Sequence, residues 1–91
     1  MATVGSVERQ IRRVEGFPAT IRQLGRNIRD DRTGMPGYPF KRAAPDRINV
    51  KAWKRSRFQP RYPGLEVEVI GRDGRVVHGA TLLETVRSEY R

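Results

Sequence analysis

The feature that most constrains this chain is its middle third, residues 31–64, which is strongly basic and repeatedly interrupted by proline. It holds nine Lys and Arg against two acids, together with five of the six prolines. Proline lacks the backbone donor that helices and central strands require. Regular elements are therefore expected mainly in residues 1–30 and 65–91, and the 91 residues are expected to form one domain made of these three parts.

The excess of positive charge is concentrated in the same stretch. Of the net charge of +9, the middle third supplies +7, the first third +3 and the last third −1. Cysteine is absent, which excludes disulfides and thiolate zinc sites. There is no apolar run of about 18 residues and no apolar block of a signal peptide at the start. We expect a cytoplasmic or virion location without membrane contact.

The first third predicts two helices. The first apolar stripe consists of Val4, Val7, Ile11 and Val14, and the second of Phe17, Ile21, Leu24 and Ile28. Spacings of three and four residues place each stripe on one face of a helix. Ser6 is the candidate N-cap of the first helix. Gly16 is the candidate residue that ends it, because glycine adopts the left-handed conformation at little cost.

The last third predicts a β-hairpin followed by a helix. Leu65, Val67 and Val69 alternate with acids, as in a strand with one buried face. A three-residue turn with a bulge at Gly74 places Val69 opposite Val77. The segment 81–84 begins with Thr and ends with Glu, a capping-box pattern that predicts a C-terminal helix starting at this point.

Residues 46–53 are the one part of the middle third with a regular pattern. Ile48, Val50 and Ala52 alternate, which predicts a third strand at the edge of the hairpin sheet. The stretches 31–45 and 54–64 are expected to be irregular. The predicted fold is a small α+β domain with two N-terminal helices, an antiparallel sheet of two or three strands that includes a hairpin, a C-terminal helix and a long irregular basic segment between them.

The candidate binding residues lie where basic and aromatic residues alternate. They are Arg47, Lys51, Trp53, Lys54, Arg55, Arg57, Phe58, Arg61 and Tyr62. Lys and Arg bind phosphates with release of counterions, and exposed rings stack on unpaired bases. In the other interpretation the rings hold a loop on the core, and the cations are solvated or pair with acids of a neighbouring protein.

A second candidate segment covers residues 34–40, which contain glycine, proline and two aromatic residues but no phosphate-binding loop pattern. Tyr38 and Phe40 are candidate anchors of an extended peptide that lies in a groove of another protein. The alternative is a flexible linker.

Catalysis has little support in the sequence. His78 is the only histidine, and the predicted hairpin places Glu68 opposite it. Such a pair could serve as acid and base, but it is more often a solvated cross-strand pair. We expect no enzyme activity, no cofactor and no small-molecule substrate. We also expect no metal site, because a single histidine and scattered carboxylates give no metal-ligand spacing.

Two functions are expected from these patterns. The first is a non-catalytic structural or assembly subunit of a larger complex, such as a virion or tail component or an accessory subunit, which binds neighbouring protein subunits through the arginine-, proline- and aromatic-rich segment. It depends on the premise that ordered, basic, proline-punctuated stretches cannot bury themselves. The alternative is a small basic protein that binds DNA or RNA.

Overall fold

The structure is a computed structural model that describes residues 2–23, 26–27 and 34–90. Its helices are α1 (Val4–Glu15), α2 (Val50–Trp53) and α3 (Leu83–Ser88), and a π-helical turn (Lys54–Phe58) continues directly from α2. Its strands are β1 (Ala19–Gln23), β2 (Arg26–Asn27) and β3 (Glu66–Val69), paired antiparallel in the order β2-β1-β3. Helices and an antiparallel sheet confirm the small α+β fold.

Helix α1 follows the predicted pattern. Val4, Val7 and Ile11 are completely buried, and the helix ends at Gly16, whose φ of 85° lies in the left-handed region. The N-cap is Thr3 and not Ser6, because the Thr3 hydroxyl accepts a hydrogen bond from the Ser6 backbone N–H at 3.1 Å.

The predicted second N-terminal helix is wrong, because residues 19–23 form strand β1. Ala19 lies opposite Val69, and Ile21 lies opposite Val67. The buried residues of β1 alternate with less buried ones, as the period of a strand requires. The same residues also fit the helical spacing, so the local pattern does not distinguish the two structures. Pairing with β3, which lies more than 40 residues later in the sequence, selects the strand over the helix. Leu24 and Ile28, also part of the predicted stripe, lie outside the described residues.

The register predicted for the hairpin after β3 is confirmed, but its second strand does not form, because the described residues after the turn make an isolated bridge instead of a strand. The backbone N–H of Val77 donates to the carbonyl of Val69 at 2.8 Å, and Ile70 forms an isolated bridge with Val76. Gly74 adopts a φ of 83°, as the bulged turn requires.

The C-terminal helix is confirmed, but its predicted capping box is wrong. Leu82 is the N-cap and provides no side-chain hydrogen bond. Two donors of the first turn are satisfied by the middle segment instead: Leu83 N–H donates to the Ile48 carbonyl at 2.9 Å, and Glu84 N–H donates to the Asp46 carbonyl at 3.2 Å. Helix starts leave such donors free, and a carbonyl satisfies them as well as a threonine hydroxyl does.

The predicted edge strand at 46–53 is also wrong. The Asn49 side chain accepts a hydrogen bond from Ala52 N–H at 2.8 Å and so caps α2. Val50 and Trp53 then share the inward face of a helix, and both are completely buried. Their burial outweighs the weak alternation of apolar residues on which the strand prediction depended.

The described part of the middle third, residues 34–64, packs on its own chain, which contradicts the premise that this stretch cannot bury itself. One core cluster combines α1, β1, β3 and α3 with seven buried residues of the middle third. These seven are Met35, Tyr38, Ala44, Val50, Trp53, Phe58 and Tyr62. Aromatic rings contribute the largest apolar areas of any side chains, so they account for much of the burial that holds this segment.

Candidate functional site

Glu15 is the centre of a buried polar cluster that joins the three parts of the chain. Its carboxylate is in the core and accepts hydrogen bonds from Arg57 at 2.8 Å, Arg87 at 3.0 Å, the Ala44 backbone N–H at 2.8 Å and the Tyr38 hydroxyl. A buried charge is tolerated only when it is paired and hydrogen-bonded. Two guanidinium groups meet that requirement.

Arg87 completes the cluster from helix α3. Its Nε donates to the Glu15 backbone carbonyl at 2.6 Å, and its Nη1 donates to the Ala44 carbonyl at 2.7 Å and to the Asp46 carboxylate at 2.6 Å. The planar fork of arginine suits several acceptors at once. Arg87 therefore connects the end of α1 to the middle segment.

Tyr38 lies between this cluster and the aromatic core. Trp53 Nε1 donates to the Tyr38 hydroxyl at 3.2 Å, while Tyr38 N–H donates to the Gln10 side chain at 2.9 Å. Burial, and then the hydrogen bond to Glu15, raise the pKa of Tyr38. The phenol stays protonated and holds the extended segment 34–40 against α1.

The rings proposed for stacking are inside the protein. Trp53 and Phe58 are 0% exposed and Tyr62 is 2% exposed. Trp53 contacts Phe17 edge-on with 5.1 Å between centroids, and Phe58 lies 4.8 Å from Tyr62. The expectation that these rings are exposed to a partner is wrong, because they fill the core that the small chain needs.

The proposed groove anchors also contact the protein itself. Tyr38 is buried, and Phe40 is half-buried with the Arg57 guanidinium 4.4 Å from its centroid. Phe40 also meets Tyr38 at a centroid distance of 5.2 Å. The two rings therefore pack on this domain, and their binding in a groove of another protein stays a prediction.

The basic candidates have a different environment from the rings. Arg47, Lys51, Arg55 and Arg61 are exposed, and Lys54 is half-buried. Arg57 is the exception, since it pairs with Glu15. The structure thus divides the predicted site into three buried rings, one half-buried cation that is paired with Glu15, and five cations that have no such pair.

Lys51, Lys54 and Arg55 form what we call the basic face of the helical segment 50–58. The π-helical turn closes with a bond from Gln59 N–H to the Lys54 carbonyl at 2.8 Å. The additional residue in this turn brings Phe58 onto the inward side with Val50 and Trp53. The basic face is held on a helix whose opposite side is anchored in the core.

The acids of the described part do not neutralise this face. Among the described residues, ion pairs to carboxylates are made by three arginines, Arg22, Arg57 and Arg87. Seven cations of the middle third have none with a described acid: Lys41, Arg42, Arg47, Lys51, Lys54, Arg55 and Arg61. The result is a strongly cationic surface, because the Glu15 carboxylate forms its ion pairs in the interior of the domain.

The groove beside the basic face has mixed charge. It has a volume of about 420 Å³ and lies between the helical segment and strand β3. Lys54 and Arg22 line it together with Glu66 and Glu68, and Arg22 pairs with Glu68. An anion would be opposed by these carboxylates inside the groove, so the exposed face outside it is the better candidate surface.

The predicted histidine–glutamate pair is not formed. His78 is exposed, and its Nδ1 accepts a hydrogen bond from Ala80 N–H at 3.1 Å. Glu68 pairs with Arg22 instead. Among the described residues no cluster of three or more His, Asp or Glu is arranged to hold a metal ion. No helix in the described part of the chain is long and apolar enough to cross a membrane.

Glu15 was missed as a site residue, although a signal for it exists. It continues the stripe Val4, Val7 and Ile11 at the next spacing of four, so it lies on the buried face of α1. An acid at a helix C-terminus is also disfavoured by the helix dipole. An acid with both properties requires buried cationic partners.

No protein-family model matches this chain, and no curated protein or solved structure has significant similarity to it.

Proposed function

We propose that this protein binds nucleic acid through the phosphate backbone, with the basic face as the main contact. The observation that carries the proposal is that seven cations of the middle third have no ion pair with a described acid. Lys and Arg that neutralise phosphates release condensed counterions, and this release drives binding.

The rigidity of the basic face supports the proposal. Asn49 caps the helix, and Val50, Trp53 and Phe58 fix its inward side in the core. Lys51 and Arg55 are four residues apart and therefore neighbours on the helix surface. Cations on a fixed helix lose less freedom on binding than cations on an irregular arm.

The assembly-subunit hypothesis has lost the observation that motivated it. Its aromatic anchors pack inside, and the exposed large hydrophobic residues of the described part are Val76 at 51% and Leu82 at 43%. The cores of protein interfaces are rich in aromatic residues and poor in charge. A role as a virion, tail or accessory subunit stays a prediction that no feature of the described surface favours.

The test is a triple variant, Lys51→Gln, Lys54→Gln and Arg55→Gln. Glutamine has nearly the helix propensity of Lys and Arg, so the helix is retained. Affinity for labelled DNA and RNA is measured by fluorescence anisotropy between about 50 and 200 mM salt. The slope of log affinity against log salt is expected to become shallower by about one for each cation removed, or about three in total.

The matched control is Arg9→Gln, Arg13→Gln and Arg75→Gln, which removes the same charge at three exposed positions elsewhere. It is expected to change the slope by less than half as much. An affinity of the natural protein that is independent of salt would contradict the proposal. An equal loss in both triple variants would show that net charge acts without the basic face.

A further inference from the structure

We infer that the nucleic acid bound at the basic face is a duplex and not a single strand. The inference rests on the proposed function and narrows its substrate class. It is carried by the placement of aromatic rings rather than by charge. The chain has seven aromatic residues, and all seven lie in its described part.

Five of the seven rings are buried in the core. They are Phe17, Tyr38, Trp53, Phe58 and Tyr62. Four of these contact one another in a continuous series: Phe17 meets Trp53, Trp53 meets Phe58 at 6.5 Å, and Phe58 meets Tyr62. A base could reach them only if the core opened.

The remaining two rings are half-buried, and each has an arginine over it. The Arg57 guanidinium lies 4.4 Å from the Phe40 centroid, while Arg57 itself is held by Glu15. The Arg12 guanidinium lies 5.9 Å from the Tyr90 centroid. The Tyr90 hydroxyl also donates to the Ile70 carbonyl at 2.6 Å, which fixes the ring against the domain.

The absence of an exposed Phe, Tyr or Trp ring separates the two forms of nucleic acid. Proteins that bind single strands stack bases on exposed rings, and each stacked base contributes roughly tenfold or more in affinity. Bases of a duplex are already stacked on one another and need no such platform. A duplex also carries one charge per about 1.7 Å of its axis, twice the density of one strand. Lys51, Lys54 and Arg55 therefore meet more phosphates on a duplex.

The experiment compares the full chain on four labelled ligands of equal length. These are a mixed-sequence DNA duplex, the corresponding RNA duplex, and one unstructured strand of each. Anisotropy at low salt is expected to give at least one duplex a Kd about five- to tenfold lower than that of its own single strand. The triple variant of the basic face is expected to remove most of this difference. The DNA and RNA arms show which duplex has the matching backbone.

Trp53 provides a second readout, because it is the only tryptophan and lies in the core. Saturation with either duplex or single strand is expected to leave its fluorescence unchanged. Tighter or equal binding of the single strands would overturn the inference and leave the proposed function standing. Quenching of Trp53 by a single strand would also overturn the inference. Failure to bind all four ligands would overturn both.

Discussion

Replacement of Glu15 is expected to be among the most destabilising single changes in this protein. Its carboxylate accepts four hydrogen bonds, from Arg57, Arg87, Tyr38 and the Ala44 backbone, and it is almost completely buried. The informative variant is Glu15→Gln, which keeps the shape of the side chain and removes its charge. Glu15→Ala also removes the acceptor atoms.

The size of the stability loss depends on whether the arginines that pair with Glu15 can reach water in the variant. The Arg57 side chain is 18% exposed and can turn outward, whereas the Arg87 side chain is 7% exposed and is held at both ends of its guanidinium. Removal of one member of a buried ion pair costs about 3–5 kcal/mol. We expect Glu15→Gln at the lower end of that range and Glu15→Ala at the upper end. Domains of this size have a total stability of about 5–15 kcal/mol.

Urea unfolding measures the effect, with fluorescence of the single buried tryptophan as the signal. With a slope of about 1.5 kcal/mol per molar urea, a loss of 3 kcal/mol lowers the midpoint by about 2 M. Glu66→Gln is the matched control, because Glu66 is exposed, and it is expected to change stability by less than about 0.5 kcal/mol. A loss below about 1 kcal/mol for Glu15→Gln would refute the reasoning.

Three further predictions concern the aromatic core. Burial raises the pKa of Tyr62 to about 12 from its usual 10.0. As the pH rises, the unfolded chain therefore loses the Tyr62 proton before the folded protein does. The free energy of unfolding is expected to fall between pH 10 and 12 for this reason. Tyr62→Phe is expected to reduce that fall, measured as the change in urea midpoint between about pH 9 and pH 11; an unchanged fall would contradict it. Trp53→Ala is expected to cost about 3–5 kcal/mol in the same assay. The milder Trp53→Phe is expected to leave the affinity for nucleic acid within about twofold, because the ring is buried; a large loss of affinity in a folded Trp53→Phe protein would point to stacking instead.

The elements that could be predicted from the sequence are those whose signals are local. Helix α1 has a regular stripe that ends at Gly16, and β3 alternates between Val and Glu before a glycine turn. The first pattern favours a helix over a strand, and the second favours a strand over a helix. The hairpin register followed from one glycine and the need to keep Val69 and Val77 on the same face.

The errors occurred where a short apolar pattern fits two structures. Ala19 and Ile21 belong to a helical stripe and to a strand alternation, and the pairing with Val67 and Val69 selects the strand. The alternation of Ile48, Val50 and Ala52 fits a strand, but a non-local hydrogen bond from the Val50 N–H to the Thr81 carbonyl holds Val50 at the start of a helix. Partners distant in sequence decided both cases.

The predicted binding site also depended on a local pattern that fits two arrangements, with the rings either exposed or buried. Residues 51–62 alternate cations with rings, and a sequence pattern of this kind does not state which set turns inward. A chain of 91 residues has few large apolar side chains, so Trp53 and Phe58 contribute more in the core than they could at the surface. The cations between them are left outside.

Surface charge and internal order have a common origin in this fold. Glu15 is neutralised by Arg57 and Arg87 in the interior, and Asp46 binds Arg87 from the rim, so these carboxylates cannot offset the seven cations of the middle third that have no ion pair with a described acid. The cluster that fixes the middle segment on the core is thus one reason why no described acid forms an ion pair with the basic face. For the same reason Glu15→Gln and the triple variant of the basic face separate the two roles: the first lowers stability with little effect on the affinity of the folded protein, and the second does the reverse.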